Sequence, residues 1–497
     1  MEQLQLFLFA VALVPAALLL AVALGLGLRA QPPARAWAVL HAGSALALLA
    51  ALVALGGQLL GEAAPASGWL RVTTLGAVMA VLVQALGGVV GVFSARYLDG
   101  EPGQTRYAAA LAAVLAAVQT LLLADHWMVL IAAWAGVGLA LERLLCFYAD
   151  RPFALLAAHK KRVADRAADV LLVVAALLSW REVGSGSLSA LAAHVQAQGL
   201  SLPLQAAALL VVAAVVLRTA LMPVHGWLIQ VMEAPTPVSA LLHAGVVNLG
   251  GVVLIRLAPL LEPSTAARTA LVVIGLATAL LSGLVMLTRI SIKVRLAWST
   301  VAQMGFMVLE CGLGLYTLAA LHLVGHSIYK AHAFLAASEA VSHAKQRELR
   351  GPQTPHAASL LLAPLIALAV VAALGGSWPW WWNGVLALAW APLLWTAALP
   401  QLATGLAATA GLTLIAHLAH GLPLGLLDAP HDTLGVVALA GMALLYALLA
   451  ALQLRPQALL GARRWSYAGF YLDEFYTRWT LRLWPHRWAP APQPAAI

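Results

Sequence analysis

LRTALMPVHGWLIQVMEAPTPVSALLHAGVVNLG, residues 217–250, lies in an otherwise strongly apolar chain, yet it carries Arg218, His225, Glu233, His243 and prolines at 223, 235 and 237. Hydrocarbon cannot solvate such groups, so they require partners within the protein, a polar cavity or water. Each proline removes a backbone donor and interrupts a helix where an unbroken span would be the simpler solution. A membrane protein that tolerates these costs is expected to handle ions. The apolar run containing the start of this stretch, 203–233, would be about 45 Å long as one straight helix, against a hydrocarbon core of about 30 Å. Leu221-Met222-Pro223 is the expected break, just after Arg218. A break of this kind frees carbonyls and amides that hold water or ions.

Outward from this stretch, runs long enough to cross a bilayer recur from end to end: 4–28, 37–57, 70–95, 108–124, 126–148, 167–180, 203–233, 238–258, 268–287, 296–316, 317–342, 358–375, 379–399, 401–421 and 432–453. Of the 497 residues, 63% are hydrophobic and 9% charged, where soluble domains carry about 25% charged residues. The expected fold is therefore an all-α polytopic membrane protein of about 13–16 transmembrane helices, broken near 218–223. Four regions follow from the pattern: N-terminal helices at 1–107, a core rich in ionisable groups at 108–345, C-terminal helices at 346–455, and an amphipathic tail at 456–497. The tail mixes aromatics with Arg463, Arg464, Arg478, Arg482 and Arg487 before a closing PAPQPAAI, a composition suited to the membrane interface. The opening MEQLQ has no basic flank, so the first run is expected to be a retained span and not a signal peptide.

The net charge of +9 would suggest nucleic acid in a soluble protein, but its distribution gives a simpler account. Loops at 29–36, 96–106, 143–166, 289–295, 345–350 and 455–464 hold 19 of the 28 Lys and Arg residues. An even number of expected crossings separates each loop from the next. The positive-inside rule then makes that side cytoplasmic, with the N-terminus outside and the C-terminus inside. No nucleic-acid partner is implied; the bilayer is the expected environment. Cys146 and Cys311 stand in apolar surroundings without metal-ligand spacing and read as small buried hydrophobes.

The candidate chemistry is concentrated before residue 350; between Gly351 and Leu427 there is no Asp, Glu, Lys or Arg. In LHLVGHSIYKAHAF, the spacing of four places His322, His326 and Lys330 on one helical face, about 6 Å apart. Histidine ionises near neutrality, so this stripe is a candidate proton relay. Two histidines at i and i+4 also suit a metal, but no third ligand accompanies them and Lys330 would repel a cation. Arg218 has two readings: a static ion pair or snorkelling charge, or a fixed charge that tunes a neighbour without itself releasing a proton. Asp169 reads as a salt-bridge partner or a helix N-terminal charge, with Arg166 one turn before it. Glu142 is followed at once by Arg143, so local neutralisation competes with transport. Lys293 and Arg295 fit ordinary positive-inside charges as well as a functional role.

These residues resemble a known family. GWLIQVMEAPTPVSALLHAGVV is similar to the signature of the antiporter-like proton-translocating subunits shared by respiratory complex I and Mrp-type antiporters. LADHWMVLIAAWAGVGLALERLLCFY looks like that family's fifth helix, RAAD (166–169) its Arg-x-x-Asp, SIKVRLAWSTVAQMGFM its lysine-led helix, and HLVGHSIYKAHAFLAAS its His–His–Lys helix. GFYLDEFYTRWTLRLWP looks like the tail of its subunit 5-like members. The likeness covers roughly 70–345 plus that tail. The sequence departs from the pattern at Ala135, where the family has a glutamate, at Arg218, where it has a lysine, and in the charge-free stretch after Gly351. The departures and the wording around Pro223 resemble one branch, the DabB-type subunits of the DAB inorganic-carbon accumulation complex.

That resemblance implies a non-enzymatic, ion-translocating subunit, with H⁺ or Na⁺ flow energising CO₂ hydration in a peripheral, carbonic-anhydrase-like zinc partner, DabA, on the cytoplasmic side. Zinc would belong to the partner, and no cofactor is expected in this chain. The implied path runs through Glu142, Asp169, Arg218 and His243 to Lys330, His326 and His322, supported by Arg166, Glu233 and Lys293. Two alternatives stand beside it: a subunit of a complex I-like or Mrp-type H⁺/Na⁺ translocating complex, and a passive membrane anchor for a peripheral partner.

Overall fold

The computed structural model describes residues 2–29, 31–61, 68–337, 355–376, 378–395, 399–455, 457 and 460–485. The basic loop 345–350, the end of the 317–342 run and the closing PAPQPAAI lie outside the described residues.

The chain is helical throughout, with no strand among the described residues beyond two isolated bridges, Leu70–Ala124 and His126–Ser187. In order, the helices are α1 (Glu2–Leu28), α2 (Pro33–Leu59), α3 (Thr74–Tyr97), α4 (Gln104–Leu123), α5 (Trp127–Leu145), α6 (Pro152–Val183), α7 (Leu188–Gln198), α8 (Leu202–Arg218), α9 (Gly226–Gln230), α10 (Thr236–Ala244), α11 (Leu249–Arg256), α12 (Ala258–Leu261), α13 (Thr265–Met286), α14 (Ile292–Leu313), α15 (Tyr316–Leu335), α16 (Ala357–Leu374), α17 (Trp380–Trp390), α18 (Leu399–His420), α19 (Asp432–Leu454), α20 (Leu460–Tyr467) and α21 (Leu472–Leu483). Among the described residues, eleven spans are long and apolar enough to cross a membrane, α10 and α11 counting as one. Each of the fifteen expected runs contains a helix. All-helical spanning is what hydrocarbon demands, because only internally satisfied backbone survives there.

Three local results sharpen the expected architecture. The short run 167–180 is the apolar half of the 32-residue α6. Its charged first half, expected as loop, is helical from Pro152, which suits the first helical turn because its missing N–H would be unpaired there anyway. The break after Arg218 is present: α8 ends at Arg218, Ala220 takes φ 55°, and the helix restarts at Gly226. A second interruption falls at Gly245 (φ −129°, ψ −65°) and separates α10 from α11.

Loop pairings sort the helix ends into two sets. At one end, Arg71 donates to Ser189 (3.2 Å), Ser189 donates to Asp125 (2.7 Å), and Arg256 donates to the carbonyls of Leu122 (2.6 Å) and Ala124. In the same way Arg268 caps α14 through the carbonyls of Gly312 (3.0 Å) and Leu313 (2.9 Å) and reaches Ala429 (2.7 Å), charge-assisted bonds to otherwise orphan acceptors. At the other end, Thr105 bonds Gln31 (3.1 Å) and Arg151 bonds the Glu233 carbonyl (2.6 Å). A principal apolar core extends from α1 to α15. A second cluster around Trp381, Trp382 and Val385 fastens the C-terminal helices to α13 and α14. Helices α13 and α14 cross with their backbones touching: a Cβ on Gly275 would lie 2.6 Å from the Gly305 carbonyl, and one on Gly305 2.7 Å from the amide of Ala279. Small residues at a crossing permit that approach and its close van der Waals packing.

Candidate functional site

One cluster of ionisable groups is organised by the charged half of α6. Its turns present Lys160, Lys161, Arg162, Asp165, Arg166 and Asp169 to α5, α8, α9 and the tail. Glu142 on α5 receives Arg162 through both carboxylate oxygens, Nε at 3.1 Å and Nη2 in closer contact; its neutralising partner is thus Arg162, and Arg143 next door is exposed. Lys161 pairs with Asp165 one turn along. Asp169 is held between Arg166 (2.9 Å) and Arg218, whose guanidinium also stands 4.7 Å from the ring centre of Trp134. Arg218 is 5% exposed. Charges this buried persist because they are paired, and deleting one partner of such a pair typically costs about 3–5 kcal/mol.

A second cluster lies where α10, α14 and α15 meet. Lys330 is fully buried; its Nζ donates to the Leu296 carbonyl (2.9 Å) and to Ser299 Oγ (2.8 Å). Among the described residues no carboxylate forms an ion pair with it. His326 Nε2 donates to the His243 carbonyl (3.2 Å), which leaves Nδ1 as the nitrogen that can load. The rings of His322 and His326 are 6.0 Å apart, as their spacing on one helix requires. His243 is fully buried and stacked on Phe334 at 4.5 Å, and neither ring nitrogen has a partner among the described residues. Buried polar atoms of this kind ordinarily bind ordered water. Lys293 donates to Thr236 Oγ1 (2.7 Å) at the start of α10, tying the first turn of α14 to the restarted helix. Arg295 is exposed. Glu233 lies between the clusters, in the interrupted segment, with one carboxylate oxygen buried and without a partner among the described residues.

The structure therefore gathers the predicted residues into two groups, Glu142–Arg166–Asp169–Arg218 and His243–Lys293–His322–His326–Lys330, on either side of the interrupted segment that holds Glu233. Several polar residues had escaped the sequence reading. Glu310, inside the apolar VLECGL, accepts from His322 Nδ1 at 2.8 Å, and Gln303 Oε1 lies 2.7 Å from His322 Nε2. A carboxylate within a span was itself the signal. Asn248 donates to Ser327 (2.7 Å) and the Ala244 carbonyl (3.0 Å) at the second interruption. Lys161 and Asp165 were marked by their i,i+4 spacing.

The tail also reaches the first cluster. Asp473 on α21 pairs with Lys160 and accepts from Gln230 (2.8 Å), while Thr477 accepts from Lys160 (2.8 Å) and Tyr476 donates to the Lys160 carbonyl (2.9 Å). A Cβ on Gly226 would fall onto the Asp473 carboxylate, so α21 seats against the restarted helix only because that position is glycine. The opposite face of α21, with Tyr471, Phe475 and Trp479, is exposed. Among the described residues, no group of three or more His, Cys, Asp or Glu side chains is placed to hold a metal ion.

Comparison with known proteins places this arrangement. Residues 124–375 match the family described as NADH:quinone oxidoreductase/Mrp antiporter, transmembrane. "Probable inorganic carbon transporter subunit DabB2" of Halothiobacillus neapolitanus is 45% identical over 311 residues, covering 62% of this chain and 56% of that one. "Probable inorganic carbon transporter subunit DabB" of Hydrogenovibrio crunogenus is 37% identical over 463 residues, 84% of each chain. "NADH-quinone oxidoreductase subunit L" of Mycobacterium tuberculosis is 36% identical over 282 residues, 56% of this chain and 44% of that one. The chain thus spans about half the length of two of these three relatives. A solved structure of the Mrp complex from Dietzia superposes with a TM-score of 0.59 over 96% of this chain and 55% of that one; at 21% identity the likeness concerns the fold. With a family match over half the chain and a 37% identical relative aligned over 84% of both lengths, this multi-pass membrane protein belongs to the NADH:quinone oxidoreductase/Mrp antiporter transmembrane family as a DabB-type, antiporter-like subunit.

Proposed function

We propose that this chain is the H⁺-conducting membrane subunit of an inorganic-carbon transporter. In this reading protons pass between the Glu142–Asp169–Arg218 group and the His243–Lys330–His326–His322 group, with Arg166, Glu233 and Lys293 in support. The observation that carries it is Lys330, a fully buried lysine held by two neutral acceptors with no carboxylate partner among the described residues. Such a group can lose its proton without stranding an opposite charge, which none of the paired cations on α6 can do. Arg218 stays charged throughout and acts by holding Asp169. A passive anchor would have no use for so expensive a stripe.

The proposed assembly places a peripheral zinc-bearing subunit on the cytoplasmic face, where proton flow drives one-way hydration of CO₂ to bicarbonate. In this reading zinc belongs to that partner. The proposed location is the bacterial inner membrane, N-terminus outside and C-terminus cytoplasmic, supported by the even number of expected crossings between successive basic loops. A potential of ~100 mV supplies about 2.3 kcal/mol per charge, a bias of roughly 50-fold. The 36% identity to a NADH-quinone oxidoreductase subunit favours a second reading, a subunit of a respiratory or Mrp-type H⁺/Na⁺ translocating complex.

The test is bicarbonate accumulation by cells that express the chain with its partner in a host lacking carbonic anhydrase. Lys330→Met is expected to abolish accumulation while the complex still co-purifies, and an uncoupler is expected to do the same to the native protein. Undiminished accumulation in both cases would end the proton-path reading. Zinc absent from the co-purified partner would end the assignment of the chemistry to it.

A further inference from the structure

We propose that Glu310 is the outer terminus of the relay, the carboxylate that exchanges protons between His322 and the cavity lined by α13–α15 and the C-terminal helices. The proposal rests on the proton-path reading and names a residue that reading did not include. Glu310 lies one turn from the end of α14 and is 4% exposed. Its only ion-pair partner among the described residues is His322, at 2.8 Å. The stripe on α15 thus runs Lys330, His326, His322 and then crosses to α14 at Glu310, at the end of the bundle opposite the Lys330 turn.

Two further observations separate this pair from a static contact. Glu310, His322 and Gln303 all line a cavity of about 690 Å³ whose remaining wall is mostly apolar, including Phe306, Trp382 and Met442. Three polar side chains at one end of a roomy cavity are what a water molecule needs for a stable position. Gln303 faces the second ring nitrogen of His322. Nε2 keeps its proton when Nδ1 gives one up, so its bond to the Gln303 amide oxygen holds the ring in place in both states of the step. The other titratable or charged groups at this end, among the described residues, are Cys311 beside it on α14, His326 beyond His322, Arg268 on the last carbonyls of α14, Tyr446 on the cavity wall, the His420–Asp428 pair, and Asp432 beneath Trp381. The C-terminal helices facing it bring no Asp, Glu, Lys or Arg between residues 351 and 427.

In the step, the Nδ1–H bond of protonated His322 breaks as an O–H bond forms on Glu310 Oε2. The carboxylic acid then releases that proton to water at the polar end of the cavity. Loading is the reverse.

The test uses the full complex in native membranes and has two arms. A hydrophobic carbodiimide, which adds to protonated carboxyl groups in apolar surroundings, is expected to give a mass-shifted peptide at Glu310, with a yield that falls as the medium is made alkaline. No adduct at any pH, or a yield indifferent to pH, overturns the proposal. In the second arm, Glu310→Gln is expected to lower bicarbonate accumulation by at least about 100-fold, the scale of a positioned proton-transfer group. Glu310→Asp should restore it with a displaced pH profile, which a structural role would not produce. Normal accumulation in Glu310→Gln beside a dead Lys330→Met removes Glu310 and leaves the proton path standing; normal accumulation in both removes the path itself. Should Glu310→Gln fail to assemble, the labelling of the native protein decides alone.

Discussion

Arg218 and Lys330 are both buried cations, yet they are expected to respond to mutation in opposite ways, because one has a counter-charge and the other does not. Arg218→Met leaves Asp169 with only the half-exposed Arg166; a loss of about 3 kcal/mol, the lower end for a broken buried pair, is expected. Adding Asp169→Leu should restore most of it, since replacing both partners by apolar side chains is often neutral. Lys330→Met orphans only a carbonyl and a hydroxyl and should destabilise less while abolishing transport. Thermal unfolding of the detergent-solubilised protein, read beside accumulation in cells, separates the two patterns. Residue-level legibility followed the same division. The His322–Lys330 stripe could be read from the sequence because one helix fixes its spacing. The pairing of Glu142 with Arg162 in preference to Arg143 could not, because it depends on how α5 packs against α6. Glu310 was visible as a carboxylate in a span, but its histidine is on another helix.

At the scale of elements, the prolines announced the break after Arg218, whereas the break at Gly245 had only a glycine in an apolar run to mark it. The charges of 160–169 disguised the first half of α6 as loop; they are helical because α5, α8 and α21 supply their partners. The last of these contacts was illegible: Lys160 and Asp473 are 313 residues apart, and the tail's aromatics suggested the membrane interface alone. Only one face, with Tyr471, Phe475 and Trp479, is left exposed. Asp473 secures α21 through bonds to Lys160 and Gln230, and hydrogen bonds involving a charged group contribute about 1.5–3 kcal/mol. Asp473→Ala should therefore free the tail, with tryptic cleavage at Arg478 and Arg482 rising by about tenfold or more. Gly226→Val should do the same from the other side of the contact. Equal cleavage in all three proteins would mean that α21 is held by its apolar contacts alone.

For the whole molecule, the expected run of spans and the side assigned to the basic loops rested on length, hydropathy and charge, quantities that any bilayer imposes regardless of function. That frame makes a direct prediction. Gln198→Cys, at the end of α7, should react with a membrane-impermeant maleimide in intact cells, and Glu101→Cys, between α3 and α4, only after permeabilisation. The native thiols offer little background, Cys311 being buried and Cys146 partly so. The reverse pattern would invert the topology and with it the face offered to a partner. The crossing of α13 and α14 at Gly275 and Gly305 bears on how such a molecule moves. With main chain resting on main chain, α14 cannot slide or roll against its neighbour without collision, so Lys293 near one end and Glu310 near the other are fixed in place relative to α13. In the proposed cycle that pair of helices is a keel, and any rocking falls to α15 and the twice-interrupted segment beside it.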